Sequence, residues 1–164
     1  MEVLKRMTKE QLILLLKNYK ENKAKLKLKL REKESILRKI ESLKNVSLSV
    51  TSYENNSDIH SKNIITDKVG NKASDNLDIE LELKTQLDKV ENEIKELNTK
   101  LEEVDIRLDG LRRKEKEILI AYYIEGNTYK EIGSITYYKL YNETRSEDTI
   151  KKIIQKATEK ISKY

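Results

Sequence analysis

Apolar residues recur with helical periodicity in three stretches of the chain, separated by one polar stretch. Between Thr8 and about Leu43, the residues Leu12, Leu16, Tyr19, Leu26, Leu30, Leu37 and Ile40 fall on an alternating three- and four-residue spacing. Lys23, Lys33 and Lys44 interrupt the same line. That spacing keeps one side of a helix apolar and predicts a single long helix with one buried face. Thr8 and Gln11 have the spacing of a capping box, in which each side chain satisfies an amide the helix start leaves unbonded. Lys23 to Leu30 alternates as a strand would, but its helical flanks and lack of turn residues favour helix.

Residues 46–75 lose the periodicity: Ser, Asn, Asp and Thr dominate and Gly70 appears, which predicts a flexible polar linker. The next stretch is the most regular. Leu83, Leu87, Val90, Ile94, Leu97, Leu101, Val104, Leu108 and Leu111 keep a strict four-three alternation without a polar intruder. Such a seam predicts a helix over 76–110 that packs as coiled coils do. Its partner is either the first helix folded back within the chain or a second copy in a dimer.

Asp109-Gly110 ends that pattern, and residues 111–164 are organised differently. A helix over 111–125 turns Ile118, Leu119, Ile124 and Tyr122 or Tyr123 inward, and Gly126 suits a left-handed cap. Thr128 and Glu131 repeat the capping-box spacing at the head of a short helix. Ser146 is placed to cap a last helix, with Ile150, Ile153 or Ile154, Ala157 and Ile161 on its apolar side. The expected fold is all-α: long N-terminal, coiled-coil-like helices over 1–45 and 76–110, and a helix-turn-helix bundle over 111–164.

Composition agrees with this picture. Hydrophobic residues make up 37% and charged residues 38% of 164, with no Phe and no Trp, so narrow helical stripes are easier to bury than a large core. Pro is absent and Gly occurs four times, which leaves few helix breakers. The absence of Cys excludes disulfides and thiolate chemistry. The single His60 sits among polar residues and reads as a surface side chain, so no metal site, cofactor or catalytic residue is expected. No apolar run reaches membrane-spanning length, and the first residues do not have the pattern of a signal peptide. The expectation is a cytoplasmic protein that is not an enzyme.

Charge is blocked along the chain. Residues 1–46 carry 14 basic against 6 acidic side chains, 47–111 carry 8 against 15, and 112–164 carry 12 against 8. Blocks of opposite sign attract one another or leave the basic ends to phosphates. In the helix-turn-helix reading, Thr149, Lys152, Gln155 and Lys156 lie opposite the apolar side of the last helix. They are candidates for base edges and phosphates, and Lys130, Arg145, Ser146 and Lys151 flank them. Lys151, Lys152, Lys156 and Lys160 form a basic stripe there. The tyrosines Tyr122, Tyr123, Tyr129, Tyr137, Tyr138 and Tyr141 are expected at the core and rim of the bundle rather than as base-stacking platforms.

The run from Leu111 to Ile132 resembles region 4 of sigma-70-type factors. It shares an apolar pair (Ile118-Leu119), an aromatic-aliphatic-Glu-Gly turn (Tyr123-Ile124-Glu125-Gly126) and a Lys-Glu-Ile helix start (Lys130-Glu131-Ile132). Ser146-Glu147-Asp148-Thr149-Ile150-Lys151 looks like the head of that module's recognition helix. The chain departs from the family between Thr136 and Arg145, where sigma factors have a much shorter turn; either the short helix runs on to Tyr141 or the turn is enlarged. No segment resembles the sigma region that reads the −10 promoter element. The layout of the whole chain resembles phage transcriptional regulators of the ArpU type, which include RinA-like late-gene activators, and Thr66-Asp67-Lys68-Val69-Gly70-Asn71 is similar to a short motif of that family. The resemblance implies a sequence-specific regulator of phage or prophage late genes. Its implied partners are double-stranded DNA, RNA polymerase and a second copy joined through the helices. The competing expectations are a DNA-packaging protein of the small-terminase type and a purely structural coiled-coil protein.

Overall fold

A computed structural model describes residues 7–48 and 68–163. The fold is all-α, with no strand among the described residues. The helices are α1 (Lys9–Lys17), α2 (Tyr19–Leu48), α3 (Lys68–Asp109), α4 (Arg113–Leu119), α5 (Tyr129–Glu131), α6 (Tyr137–Tyr141) and α7 (Glu147–Ser162). A π turn, Ile120–Ile124, continues α4, and a second, Ile132–Thr136, joins α5 to α6. No helix among the described residues is long and apolar enough to cross a membrane.

Two elements differ from those expected. The long helix predicted over 8–43 is divided at Asn18, whose backbone (φ −86°, ψ 2°) leaves the helical basin between α1 and α2. The 46–75 segment expected to be non-helical is helical from Lys68 onward. Lys68 to Asn71 therefore open α3, whereas Thr66, Asp67 and His60 lie outside the described residues. The Thr8 capping box forms as expected: the Gln11 amide donates to Thr8 Oγ1 and the Thr8 amide donates to Gln11 Oε1 (3.1 Å).

Packing divides the chain into two compact units. Unit 2 spans Lys27–Lys95, and in it α2 and α3 run antiparallel. The buried residues are Ile36, Ile40, Leu83 and Val90, with Leu43, Leu87 and Ile94 packed around them. Here the α2 seam differs from the one expected. Leu30 and Leu37 are 43% and 44% exposed, and the line toward α3 runs through Lys29, Lys33, Ile36, Ile40 and Leu43. Charge selects this phase. Lys29 Nζ reaches Glu93 at 2.7 Å and Glu32 at 2.8 Å, and Lys33 Nζ reaches Glu91 at 2.7 Å. Lysines that look like defects in an apolar stripe are thus the groups that meet the acidic helix.

Unit 1 joins the residues up to Leu26 with those from Glu96 onward. Its core takes Leu12 and Leu16 from α1, Val104 and Leu108 from α3, and Ile118, Leu119 and Ala121 from α4 and its π turn. Ile132 and Tyr137 come from the next helical run, and Ile150, Ile154, Ala157 and Ile161 from α7. The 111–164 module is therefore completed by helices from elsewhere in the chain, and α1 packs on α7 and on the first π turn. One charge is sealed into this core. Arg107 is 1% exposed, donates from Nη1 to the Ile161 carbonyl at 2.8 Å and from Nη2 to Glu103 Oε1 at 2.9 Å. A cation among the last carbonyls of α7 complements the negative end of that helix. Tyr19 donates its hydroxyl to Asp105 Oδ1 at 2.9 Å and ties the start of α2 to α3.

Because Leu16 is fully buried beneath α7, Leu16→Ala should lower the stability of unit 1 by about 2–5 kcal/mol. Urea unfolding followed by tyrosine fluorescence reads this, and an unchanged midpoint would mean that α1 does not belong to this core.

Candidate nucleic-acid interface

Sequence chemistry sets the frame of the C-terminal region step by step. The Arg112 amide donates to Glu115 Oε2 (3.2 Å) at the head of α4. At the other end the π turn brings the Glu125 amide to the Ile120 carbonyl (2.9 Å) and the Asn127 amide to the Ala121 carbonyl (2.9 Å). Gly126, at φ +81°, takes the left-handed position that reverses the chain. Thr128 then caps the next helix. Its amide donates to Glu131 Oε2 at 2.8 Å while the Glu131 amide donates to Thr128 Oγ1 at 3.3 Å. The bonds from the Thr128 backbone and hydroxyl hold the Glu131 carboxyl below its ordinary range.

The chain stays helical from Tyr129 to Tyr141, which resolves the departure from the sigma-like pattern in favour of a longer helix rather than a larger turn. Asn142 ends it in the left-handed conformation (φ 54°), a backbone region that Asn tolerates better than most residues. The turn then folds back onto Gly133. The Arg145 amide donates to the Gly133 carbonyl at 3.0 Å, and a Cβ at 133 would overlap the Arg145 carbonyl oxygen. Only glycine allows this approach of backbone to helix. The same turn is pinned on its other side by Tyr137, which is 2% exposed and lies under Lys114 Nζ (4.6 Å from the ring centre) and the Arg145 guanidinium (5.5 Å). Burial pushes the Tyr137 hydroxyl up, but bonds from Arg145 and Lys114 outweigh it and hold it below its ordinary value.

α7 is amphipathic along its 16 residues. Ile150, Ile154, Ala157, Thr158 and Ile161 are buried, and Thr158 keeps its hydroxyl satisfied by donating to the Ile154 carbonyl at 2.7 Å. Thr149, Lys151, Lys152, Gln155 and Lys156 are all exposed. At 100° per residue, Lys152 points directly away from the core, with Lys156 and Thr149 to one side and Gln155 and Lys151 to the other. Lys151, Lys152 and Lys156 form no ion pair among the described residues. Lys160 leaves the expected stripe: it is 40% exposed and sits 3.4 Å from Glu115 on α4.

The remaining sequence candidates have different surroundings. Ser146 and Thr149 share a hydroxyl–hydroxyl bond of 2.9 Å across the first turn of α7, so Ser146 holds the N-cap position without bonding a helix amide. Arg145 is exposed and paired with Glu143 at 2.6 Å as well as laid over Tyr137, which makes it a brace of the turn. Lys130 is exposed on α5, ahead of the second π turn, α6 and α7. Glu147 and Asp148 occupy the first turn, where carboxylates suit the helix dipole and repel phosphate. The phosphate-seeking part of α7 therefore begins at its second turn.

Sequence reasoning missed Lys114, Gly133 and Arg107, and missed the flank that α1 adds. A cleft of about 940 Å³ is bordered by Lys9, Ile13 and Lys17 of α1, the 122–129 segment, and Ile154, Gln155 and Thr158 of α7. Gln155 thus faces a wall that comes from the other end of the chain. The one available signal was a glycine inside a helical pattern, since Gly133 there implies a close backbone approach. The tyrosines divide as expected of a core and rim: Tyr137 is buried, Tyr122, Tyr123 and Tyr129 are half-buried, and Tyr138 and Tyr141 are exposed. Tyr122 and Tyr129 stack with ring centres 4.8 Å apart and share a hydroxyl bond of 2.9 Å. No group of His, Cys, Asp or Glu suited to hold a metal ion occurs among the described residues. Family models, curated proteins and solved structures give no match to this chain.

Two measurements follow from this geometry. Gly133→Ala should destabilise unit 1 by about 1–3 kcal/mol through forced displacement of the Arg145 backbone, and an unaltered thermal midpoint would show that the turn does not sit on this helix. The bond from Tyr122, then burial, pushes the Tyr129 hydroxyl from 10.0 up to about 12. The folded chain holds that proton more tightly, so the pair's contribution to stability is full below pH 10.0 and is lost as pH rises through about 12. In a phenolate absorbance titration Tyr129 should ionise late, and Tyr122→Phe should bring it back toward the ordinary range. A wild-type titration that Tyr122→Phe leaves unchanged at its high-pH end would mean that the pair does not form.

Proposed function

We propose that this chain is a sequence-specific transcription regulator that lays α7 in the major groove of double-stranded DNA. The observation that carries the reading is the two-sidedness of α7. Its apolar side is locked into a core of helices, and its outward side offers Lys152 and Lys156 with Thr149, Gln155 and Lys151 around them. A helix of this kind, held behind a helix and a tight turn, has the shape and donors that major-groove recognition requires. Lys152 and Lys156 are assigned to phosphates, because ammonium groups on flexible stems serve as point charges. Gln155 and Thr149 are assigned to base edges, since an amide pairs with adenine and a hydroxyl with several bases. Arg145 and Ser146 support the turn, and Lys130 is assigned a phosphate on the flank.

The family resemblance of residues 111–164 and the layout of the chain support phage or prophage late genes as the regulated targets, with RNA polymerase as a further partner. This part of the proposal rests on sequence pattern alone. No catalytic step is assigned.

Fluorescence anisotropy with duplex DNA over a series of salt concentrations tests the reading. Binding should weaken steeply with salt, by about 0.9 in logarithmic slope for each phosphate neutralised. Lys152→Ala with Lys156→Ala should flatten the slope by roughly 2 if each lysine meets one phosphate. Lys160→Ala should leave it unchanged, because Glu115 already engages that ammonium. No binding to duplex DNA at low ionic strength would refute the regulator reading, and an unchanged slope in the double variant would remove these lysines from the DNA.

A further inference from the structure

Helices flank α7 on both sides. α4 lies on the side of Lys156, where Lys160 meets Glu115, and α1 lies on the side of Gln155, across the cleft of about 940 Å³. All of these residues belong to unit 1. Lys9, Ile13 and Lys17 border the cleft and follow one another at four-residue steps. The two lysines therefore share one line of α1 and stand about 12 Å apart along it. Both are exposed. Lys17 forms no ion pair among the described residues. Lys9 lies 3.9 Å from Glu159, but with side chains 47% and 60% exposed that pair contributes little. Glu125, the one carboxylate among the described residues that border the cleft, accepts from Asn127 Nδ2 at 3.3 Å. The wall facing α1 adds neutral donors. Tyr122 and Tyr129 share one hydroxyl bond, which uses one of their two protons; the other has no acceptor among the described residues.

Cations and neutral donors around one cleft suit an anion that only accepts hydrogen bonds, and the place of the cleft identifies which one. Packed helices lie about 8–10 Å apart, axis to axis. The major groove is about 12 Å wide, so its edge runs about 6 Å to the side of a helix seated along its middle. A strand that edges the groove holding α7 therefore passes between α7 and the helix packed beside it, within reach of that helix's lysines. We infer that the cleft receives the sugar-phosphate backbone of the duplex, with Lys9 and Lys17 as phosphate contacts supplied by the other end of the chain. The spare hydroxyl proton of the Tyr122–Tyr129 pair donates to a phosphate oxygen on the opposite wall. Gln155, which faces the same cleft from α7, stands between the backbone held here and the base edges. The inference rests on the seating of α7 in the major groove proposed above and extends it. α1 becomes part of the DNA-binding surface as well as a cover for the core beneath α7.

Fluorescence anisotropy of the full chain with mixed-sequence duplex DNA, over a series of salt concentrations, is the test. Lys9→Ala with Lys17→Ala should flatten the logarithmic salt slope by roughly 2, as two phosphate contacts are lost. Lys9→Arg with Lys17→Arg should keep the slope, because the charges remain. Lys20→Ala, at an exposed position outside the cleft, should leave it unchanged. All three positions are exposed, so helical circular dichroism and melting temperature should stay at their wild-type values. An unchanged slope in Lys9→Ala with Lys17→Ala, where Lys152→Ala with Lys156→Ala does flatten it, would overturn this inference and leave α7 on DNA. An equal fall per lysine at Lys20 would also overturn it, since diffuse attraction rather than the cleft would then be acting. A wild type that binds no duplex at low ionic strength would refute the regulator reading and this inference with it.

Discussion

The guanidinium of Arg107 is the constraint around which unit 1 is built. It lies at the end of a long helix, in a core of Leu, Ile, Val and Ala with Tyr137 and Thr158, and it reaches the carbonyl of Ile161 near the end of α7. A charge so deep is tolerated only with oriented partners, and here Glu103 and the negative end of α7 supply them. The geometry of those bonds is directional, whereas the aliphatic contacts around them are not. Aliphatic packing alone would let α7 rotate or slide against its neighbours. The guanidinium ties the end of α7 to one point on α3, and thereby helps define which lysines face outward.

The opposite end of α7 is held by different means. Gly133 admits the Arg145 backbone, Tyr137 underlies Lys114 and Arg145, and Ser146 and Thr149 bond each other across the first turn. Between these anchors α1 covers the flank with Leu12 and Leu16. Three separate parts of the chain therefore converge on one exposed helix. A surface meant to read a rigid partner gains from such support, because a side chain displaced by even an ångström loses its hydrogen bond.

Much of the candidate site was legible in the sequence. The three-four spacing of Ile150, Ile154, Ala157 and Ile161 assigns the outward positions of α7 without any knowledge of its neighbours, since helical phase is a local property. The capping boxes at Thr8 and Thr128 and the left-handed glycine at 126 were legible for the same reason. Lys160 was not, because its diversion to Glu115 depends on where α4 passes. Nor was the α2 seam, because two adjacent lines of that helix carry apolar residues and the choice between them is made by contacts with α3, both its apolar line and Glu91 and Glu93.

By itself the sequence determined the helical character of the chain, the caps at Thr8 and Thr128, the apolar line of α3 and the two faces of α7, all of which follow from spacings of three and four residues and from capping chemistry. The tertiary structure alone decided that α1 belongs with α7, that Arg107 is buried, and that Lys29 and Lys33, in line with Ile36 and Ile40, face α3 in unit 2 while Leu30 and Leu37 stay exposed. The physical reason is that periodicity says which side of a helix seeks cover, whereas the choice of cover is made by partners distant in the chain through charge and shape.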